Sequence, residues 1–148
     1  MNPHDLRRPI SVLVVVYSDD AKVLLLRRRE PFEFWQSVTG SLGTDESHAE
    51  AASRELEEET GLTDEGDLTY SGSSRTFEID PRWRDRFEPG VIENVEHEWR
   101  YRLKEPRHIR LNGKEHSEFR WLPFGEAIET VWSWTNREAI GQLREELD

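Results

Sequence analysis

The segment Ile10-Ser11-Val12-Leu13-Val14-Val15-Val16-Tyr17 constrains the fold of this chain more than any other. It is short and rich in valine, which suits a strand buried on both faces. A strand of that kind needs cover above and below, so the rest of the chain must supply two layers. Ser18-Asp19-Asp20 has turn chemistry, and Val23 to Arg28 reads as the strand that returns beside the first. Phe32 to Val38 mixes aromatic and polar residues and predicts a short strand before Gly40. Ser47 to Thr60 predicts a helix: Ser47 and Glu50 form a capping box, Gly61 is the left-handed stop, and Ala49, Ala52 and Leu56 share one face. Asp67–Ser73 and Arg75–Ile79 predict strands, Pro81–Gly90 a loop, and Glu96–Leu103 and Glu118–Leu122 two further strands. Asn136–Leu147 predicts a last helix with Ala139, Ile140 and Leu143 as its apolar stripe. This order predicts an α/β (α+β) protein, a mixed β-sheet sandwiched between α-helices, in one domain over residues 1–148. A doubly wound parallel fold does not fit it.

Composition narrows the function classes. The absence of cysteine excludes a disulfide framework, a thiolate zinc site, an iron–sulfur cluster and a cysteine nucleophile. Twenty Lys and Arg against 31 Asp and Glu give a net charge of −11, which argues against general nucleic-acid binding. A small polyanionic substrate remains open if cations are placed locally or a metal supplies charge. The valine-rich run is far shorter than the ~20 residues of a spanning helix and lacks a small-residue cleavage site. A soluble cytoplasmic protein is therefore expected, acting on a small molecule, with no membrane or nucleic-acid partner; oligomeric state is left open.

The chemistry concentrates between Gly40 and Leu62. At ~100° per residue, Glu55, Glu58 and Glu59 fall within about a 100° arc of the helix, while Glu57 points elsewhere. Glu59 borders the apolar stripe, so its carboxylate is expected near the sheet and partly desolvated. Acids at this spacing repel one another, and they crowd the C-terminal half of the helix, where the macrodipole disfavours anions. Either the face is simply solvated or a cation fills it, and the four glutamates alone do not separate these readings. Oxygen ligands on one rigid face suit Mg²⁺, with Mn²⁺ possible; zinc suits them less well. Arg54 can pair with Glu58 one turn on and hold it in position.

The frame around these acids is more specific. Gly40, five residues, Glu46, seven residues, then Arg54-Glu55-Leu56-Glu57-Glu58-Glu59-Thr60-Gly61-Leu62 resembles the signature of the Nudix hydrolases at every fixed position. Inside the variable spacer, Gly43 stands where many members carry an acid, and Asp45 where many carry glycine. The resemblance implies a mixed sheet between helices and Mg²⁺-dependent hydrolysis of a nucleoside diphosphate linked to a further group. Arg7 to Val15, Phe34 to Ser41, Pro89-Gly90-Val91 and Trp132 to Arg137 further resemble the folate-pathway branch of that family, which releases pyrophosphate from 7,8-dihydroneopterin triphosphate.

Carried over by position, the resemblance implies metal ligation by Glu55, Glu59 and Glu115, the last in a loop. With those committed, Glu58 is the expected proton acceptor, positioned by Arg54, with Glu115 as the alternative. The resemblance also implies substrate contacts from Arg7, Arg28, Thr39, Phe77, Glu78, Ile79, Asp80 and Ser133. Arg7 and Arg28 suit phosphate oxygens, and Thr39 and Ser133 suit polar edges. Trp35 and Trp134 offer flat walls for a ring, with core packing the competing role for each. Arg75, Arg82, Arg84 and Arg86 read as a solvated group. The competing functions are a general (deoxy)nucleoside triphosphate pyrophosphohydrolase, a binding module that lost turnover, and a calcium-binding acidic protein. The helix acids are all present and a calcium-loop pattern is absent, so the last two fit less well.

Overall fold

The first strand does lie between two layers. In the computed structural model, which describes residues 6–148, β1 (Ile10–Ser18) runs through the middle of a seven-stranded mixed sheet, with Val12 to Val16 at most 2% exposed. It turns into β2 (Lys22–Arg28) through Asp19 and Asp20, pairing with it only at Tyr17 and Val23. The two strands then part. β2 pairs with β3 (Phe34–Gln36), while β4 (Val38–Ser41) pairs with the first half of β1. α1 (His48–Thr60) follows, then β5 (Asp67–Glu78), β6 (Glu93–Leu103), β7 (His116–Pro123), α2 (Phe124–Thr130) and α3 (Trp134–Leu147). β6 is parallel to β1 along its length, β5 is antiparallel to β6, and β7 is antiparallel to β2.

Alternation along β1 feeds two cores. Val12, Val14 and Val16 face α1, packing with Ala51, Ala52, Leu56 and Tyr101. Leu13 and Val15 face the other way, onto Phe124, Ala127, Ala139, Ile140 and Leu143 of α2 and α3. Each side chain taken out of water there contributes ~1.5–3 kcal/mol before entropy is charged against it. Both capping features of α1 form: the Ser47 hydroxyl accepts from the Glu50 amide at 3.1 Å, and the Glu50 carboxylate accepts from the Ser47 amide at 3.0 Å. Gly61 sits at φ 77°, its N–H donating to the Glu57 carbonyl oxygen at 2.8 Å.

Several elements differ from the sequence expectation. The expected strands Asp67–Ser73 and Arg75–Ile79 form one strand, because a register shift between Tyr70 and Ser74 absorbs the polar Ser71-Gly72-Ser73 stretch. The segment after Asp80 winds into a short 3₁₀ helix over Pro81–Arg86, with the Asp80 carboxylate accepting from the Arg82 amide at 2.9 Å. β6 begins earlier than expected, at Glu93, since Asn94 and Glu96 are buried polar residues that break the apolar alternation. α2 has seven residues, too few to show a helical period. α3 begins at Trp134 under a Ser133 cap. Among the described residues no helix is long and apolar enough to cross a membrane. The first five residues of the expected domain lie outside the described ones.

Candidate active site

The turn from β4 into α1 is organised by Arg54. Its Nε donates to Glu46 at 2.7 Å and its Nη2 to Glu46 at 2.9 Å and to the Ser41 carbonyl oxygen at 3.1 Å. Its Nη1 donates to Glu55 at 2.7 Å and to Glu58 at 3.2 Å. One guanidinium thus ties the loop to the helix and orients Glu55. Hydrogen bonding to Arg54 holds the Glu46 carboxyl down at about 2. Gly40 makes room for the same acid, since a Cβ there would collide with the Glu55 carboxyl group and only glycine leaves Glu55 its place. In the spacer, Asp45 takes φ 61°, a left-handed conformation that glycine adopts most easily and Asp tolerates. At Gly43 a Cβ would meet Glu46 at an ordinary 3.5 Å, so the missing side chain there is not a packing requirement.

The helix acids do not share one environment. Glu59 is fully buried and Glu55 nearly so, whereas the Glu58 side chain is 53% exposed. This departs from the expected common face. The buried arc of α1 runs from Ala51 through Glu55, Glu59 and Ala52 to Leu56, and Glu58 lies just outside it, ~120° from Ala52. Arg54 and Glu58 border a shallow groove with Ala49, Glu50, Ser53 and Glu57 instead. Burial, then the Glu55 carboxylate, then Glu115 push the Glu59 carboxyl well up, with Arg28 pulling the other way. Burial likewise raises Glu55.

Residues from distant parts of the chain close around Glu59. Ligand atoms of Glu59, Glu115 and His116 lie within 4.8 Å of one another. His116, which the sequence pattern did not single out, is fully buried at the start of β7, with its Nε2 3.0 Å from Gln36 Nε2 and 3.8 Å from Glu59 Oε1. Burial, followed by Arg28, lowers it to about 4, so its ring is neutral near pH 7. Neither oxygen of Glu59 has a hydrogen-bond partner among the described residues. A buried carboxylate without donors is costly unless a proton or cation meets it. Three carboxylates and a neutral imidazole, with no thiolate, therefore fit a hard divalent cation.

Beside this cluster opens a cavity of about 630 Å³. Glu55, Glu115, Arg7, Arg28, Thr39, Phe77, Glu78, Ile79, Asp80 and Ser133 all line it, so ten of the residues singled out from sequence come together there. Glu59 is buried behind the wall. Arg28 Nε donates to the Glu30 carbonyl oxygen at 2.8 Å, and among the described residues neither Arg7 nor Arg28 forms a salt bridge. Burial lowers both guanidinium values, and Arg86 lowers them further. Thr39 donates to the Val12 carbonyl oxygen at 2.9 Å, and Ser133 accepts from the Asn136 amide at 3.1 Å. Asp80 is bonded to Arg82, and Glu78 to Arg84 at 2.8 Å.

The aromatic wall is built differently from the expectation. Phe34, Trp83, Trp132 and Trp134 line the cavity, whereas Trp35 packs onto the α2–α3 core with Arg120 4.8 Å above its ring. β3 alternates, so Phe34 and Trp35 must take opposite sides. Arg75 is not solvated either: it is buried and donates to Glu98 at 2.7 Å.

The chain is similar to known proteins over most of its length. Residues 7–143 match the NUDIX domain family. The chain is 41% identical over 141 residues to dihydroneopterin triphosphate diphosphatase of Escherichia coli strain K12, covering 93% of each chain. It is 38% identical over 134 residues to the protein of that name from Haemophilus influenzae, covering 88% of this chain and 84% of the other. The solved E. coli dihydroneopterin triphosphate pyrophosphohydrolase superposes with a TM-score of 0.87 at 38% identity, over 93% of this chain and 95% of that one.

Proposed function

The chain belongs to the Nudix hydrolase family, and from that premise we propose that it converts 7,8-dihydroneopterin triphosphate to dihydroneopterin monophosphate and pyrophosphate, a step of folate biosynthesis. The observation that carries this reading is one cavity lined both by acids suited to a cation and by two arginines that form no salt bridge among the described residues. The similarity to two proteins of that name supports the choice of substrate. The absence of cysteine and a charge of −11 are in keeping with a cytoplasmic enzyme for a small molecule, not a nucleic acid.

Glu55, Glu59 and Glu115, with His116 beside them, would hold the cation, for which we propose Mg²⁺, with Mn²⁺ an acceptable substitute. When bound, it supplies charge against the polyphosphate and makes water more acidic. Arg7 and Arg28 grip phosphate oxygens and hold the chain of phosphates for in-line attack by water, which breaks one phosphoanhydride bond and releases pyrophosphate. The proton of the attacking water passes to a carboxylate. Glu115, on the cavity wall, is placed to accept it; Glu58 takes that role only if its side chain turns in from the solvent side. Arg54 holds Glu55 in position.

Two measurements test this. A substrate panel with Mg²⁺, followed by identification of the released phosphate, should favour the pterin triphosphate and yield pyrophosphate. A kcat/KM for dATP well above that for the pterin would instead assign the enzyme to the nucleotide pool. Glu59→Gln should lower kcat at least ~10²-fold while keeping a cooperative melting transition without metal. Near wild-type turnover would remove Glu59 from the site.

A further inference from the structure

A second buried carboxylate opens onto the same cavity, and the hydrolytic steps do not use it. Glu96 lies on β6 beside Ser11 of β1, on the face that α3 covers, and is 6% exposed. Its Oε1 has no hydrogen-bond partner among the described residues. The donors around it are otherwise engaged. The Asn94 amide donates to Ser11 Oγ at 2.8 Å. Arg75 donates to Glu98 at 2.7 Å, to Gln142 at 3.0 Å and to Glu138 at 3.1 Å. The Thr135 hydroxyl, in the first turn of α3, lies 3.1 Å from Ser133 Oγ, and an ionised carboxylate has lone pairs to offer a ligand. A buried acceptor left in this state is costly, and it sits in the wall of a ligand cavity whose other walls include Phe34, Trp83 and Trp132.

We propose that Glu96 determines specificity for the heterocycle, its carboxylate accepting the adjacent N3–H and 2-amino N–H of a 2-amino-4-oxopteridine ring that lies against these aromatic side chains. The assignment rests on the pterin reading of the proposed function. Those two N–H groups are parallel, coplanar donors and match the two oxygens of a carboxylate, as a guanidinium does. Glu98, the acidic neighbour of Glu96, is already paired with Arg75 and Arg100, so this end of the cavity favours a neutral donor over a cation. A ring that presents a carbonyl in place of the 2-amino group sets oxygen against oxygen, a repulsion that a site built around donors does not tolerate. Burial holds the Glu96 carboxyl up at about 7, so a ligand that brings two donors also draws it into its ionised form.

The test uses binding as well as turnover. Wild-type protein, titrated by fluorescence, should bind pterin at least ~10-fold more tightly than lumazine, which carries oxygen in place of the 2-amino group. In Glu96→Gln that preference should fall to within about twofold, and kcat/KM for dihydroneopterin triphosphate relative to dATP should fall at least ~10-fold. Equal binding of pterin and lumazine by the wild type overturns the proposal without any variant, so a poorly folding Glu96→Gln cannot rescue it. A wild type that prefers the pterin triphosphate, paired with an unchanged ratio in Glu96→Gln, overturns the role of Glu96 alone. A wild type that prefers dATP overturns the substrate reading itself, and pterin binding that depends on Glu96 would then still support the contact.

Discussion

Glu59 and Glu96 are both buried carboxyls with an oxygen that nothing in the described chain satisfies, and they lie on opposite faces of one sheet. Their surroundings differ. Around Glu59 stand Glu55 and Glu115, so the local field is negative and asks for positive charge. Around Glu96 stand a hydroxyl from Thr135, an amide that is already used and an arginine bound to other acids. That setting asks for hydrogen-bond donors. On the proposed reading the same type of side chain serves two ends of one substrate: charge compensation for the phosphates and directional recognition of the ring.

The largest expected effect is on stability against pH; without metal it runs in the same direction for both acids, since burial raises each. Burial raises the Glu96 carboxyl to about 7 in the fold, against 4.5 in the unfolded chain; Arg75 and Thr135 oppose that rise and Glu98 adds to it. A raised acid favours the fold while protonated. Its contribution is complete below pH 4.5 and is lost as pH rises through about 7. Glu96→Gln, which cannot ionise, should thus gain on the wild type between about pH 5 and pH 8, by at most about 3.4 kcal/mol. Urea unfolding without metal measures this, and parallel pH curves for the two proteins would refute it.

Close behind comes the response to cation. Mn²⁺ or Mg²⁺ at about 100 times its dissociation constant should stabilise the wild type by about 2.7 kcal/mol, or ~5–10 °C in Tm. Glu59→Gln should lose most of that increment, and Glu96→Gln should keep it. Thermal melts with and without metal decide the matter, and equal losses in both variants would erase the distinction between the two ends. The smallest effect concerns the loop that leads into the charged end. Asp45→Gly relieves a left-handed residue at the cost of a looser unfolded chain, so a net gain below ~1 kcal/mol is expected from chemical denaturation. A clear loss would mean that the Asp45 side chain holds the loop.

The charged end was largely legible because its determinants are contiguous. Gly40, Glu46, Arg54, Glu55 and Glu59 lie within the end of one strand, the loop after it and one helix, where spacing converts directly into position. Even there Glu58 escaped, since membership of an arc does not say where the packed arc ends. The ring end was not legible. Asn94, Glu96 and Thr135 carry no spacing signal, and Phe34 could not be told from Trp35 until the side of the strand was known.

By itself the sequence determined the doubly buried first strand, the capped helix with its left-handed stop, and the acids suited to a cation, because each depends on residues within a turn or two of one another. Only the tertiary structure decided that His116 and Glu115 close around Glu59, that Glu58 faces solvent, and that Glu96 stands beside Ser11 with an oxygen open to a ligand. The first and last of these follow from the antiparallel pairing of β2 with β7 and the parallel pairing of β1 with β6. Such contacts join residues some 85 to 90 positions apart, at the distance of Ser11 from Glu96 and Arg28 from His116, and are set by burial of the whole sheet rather than by any local pattern.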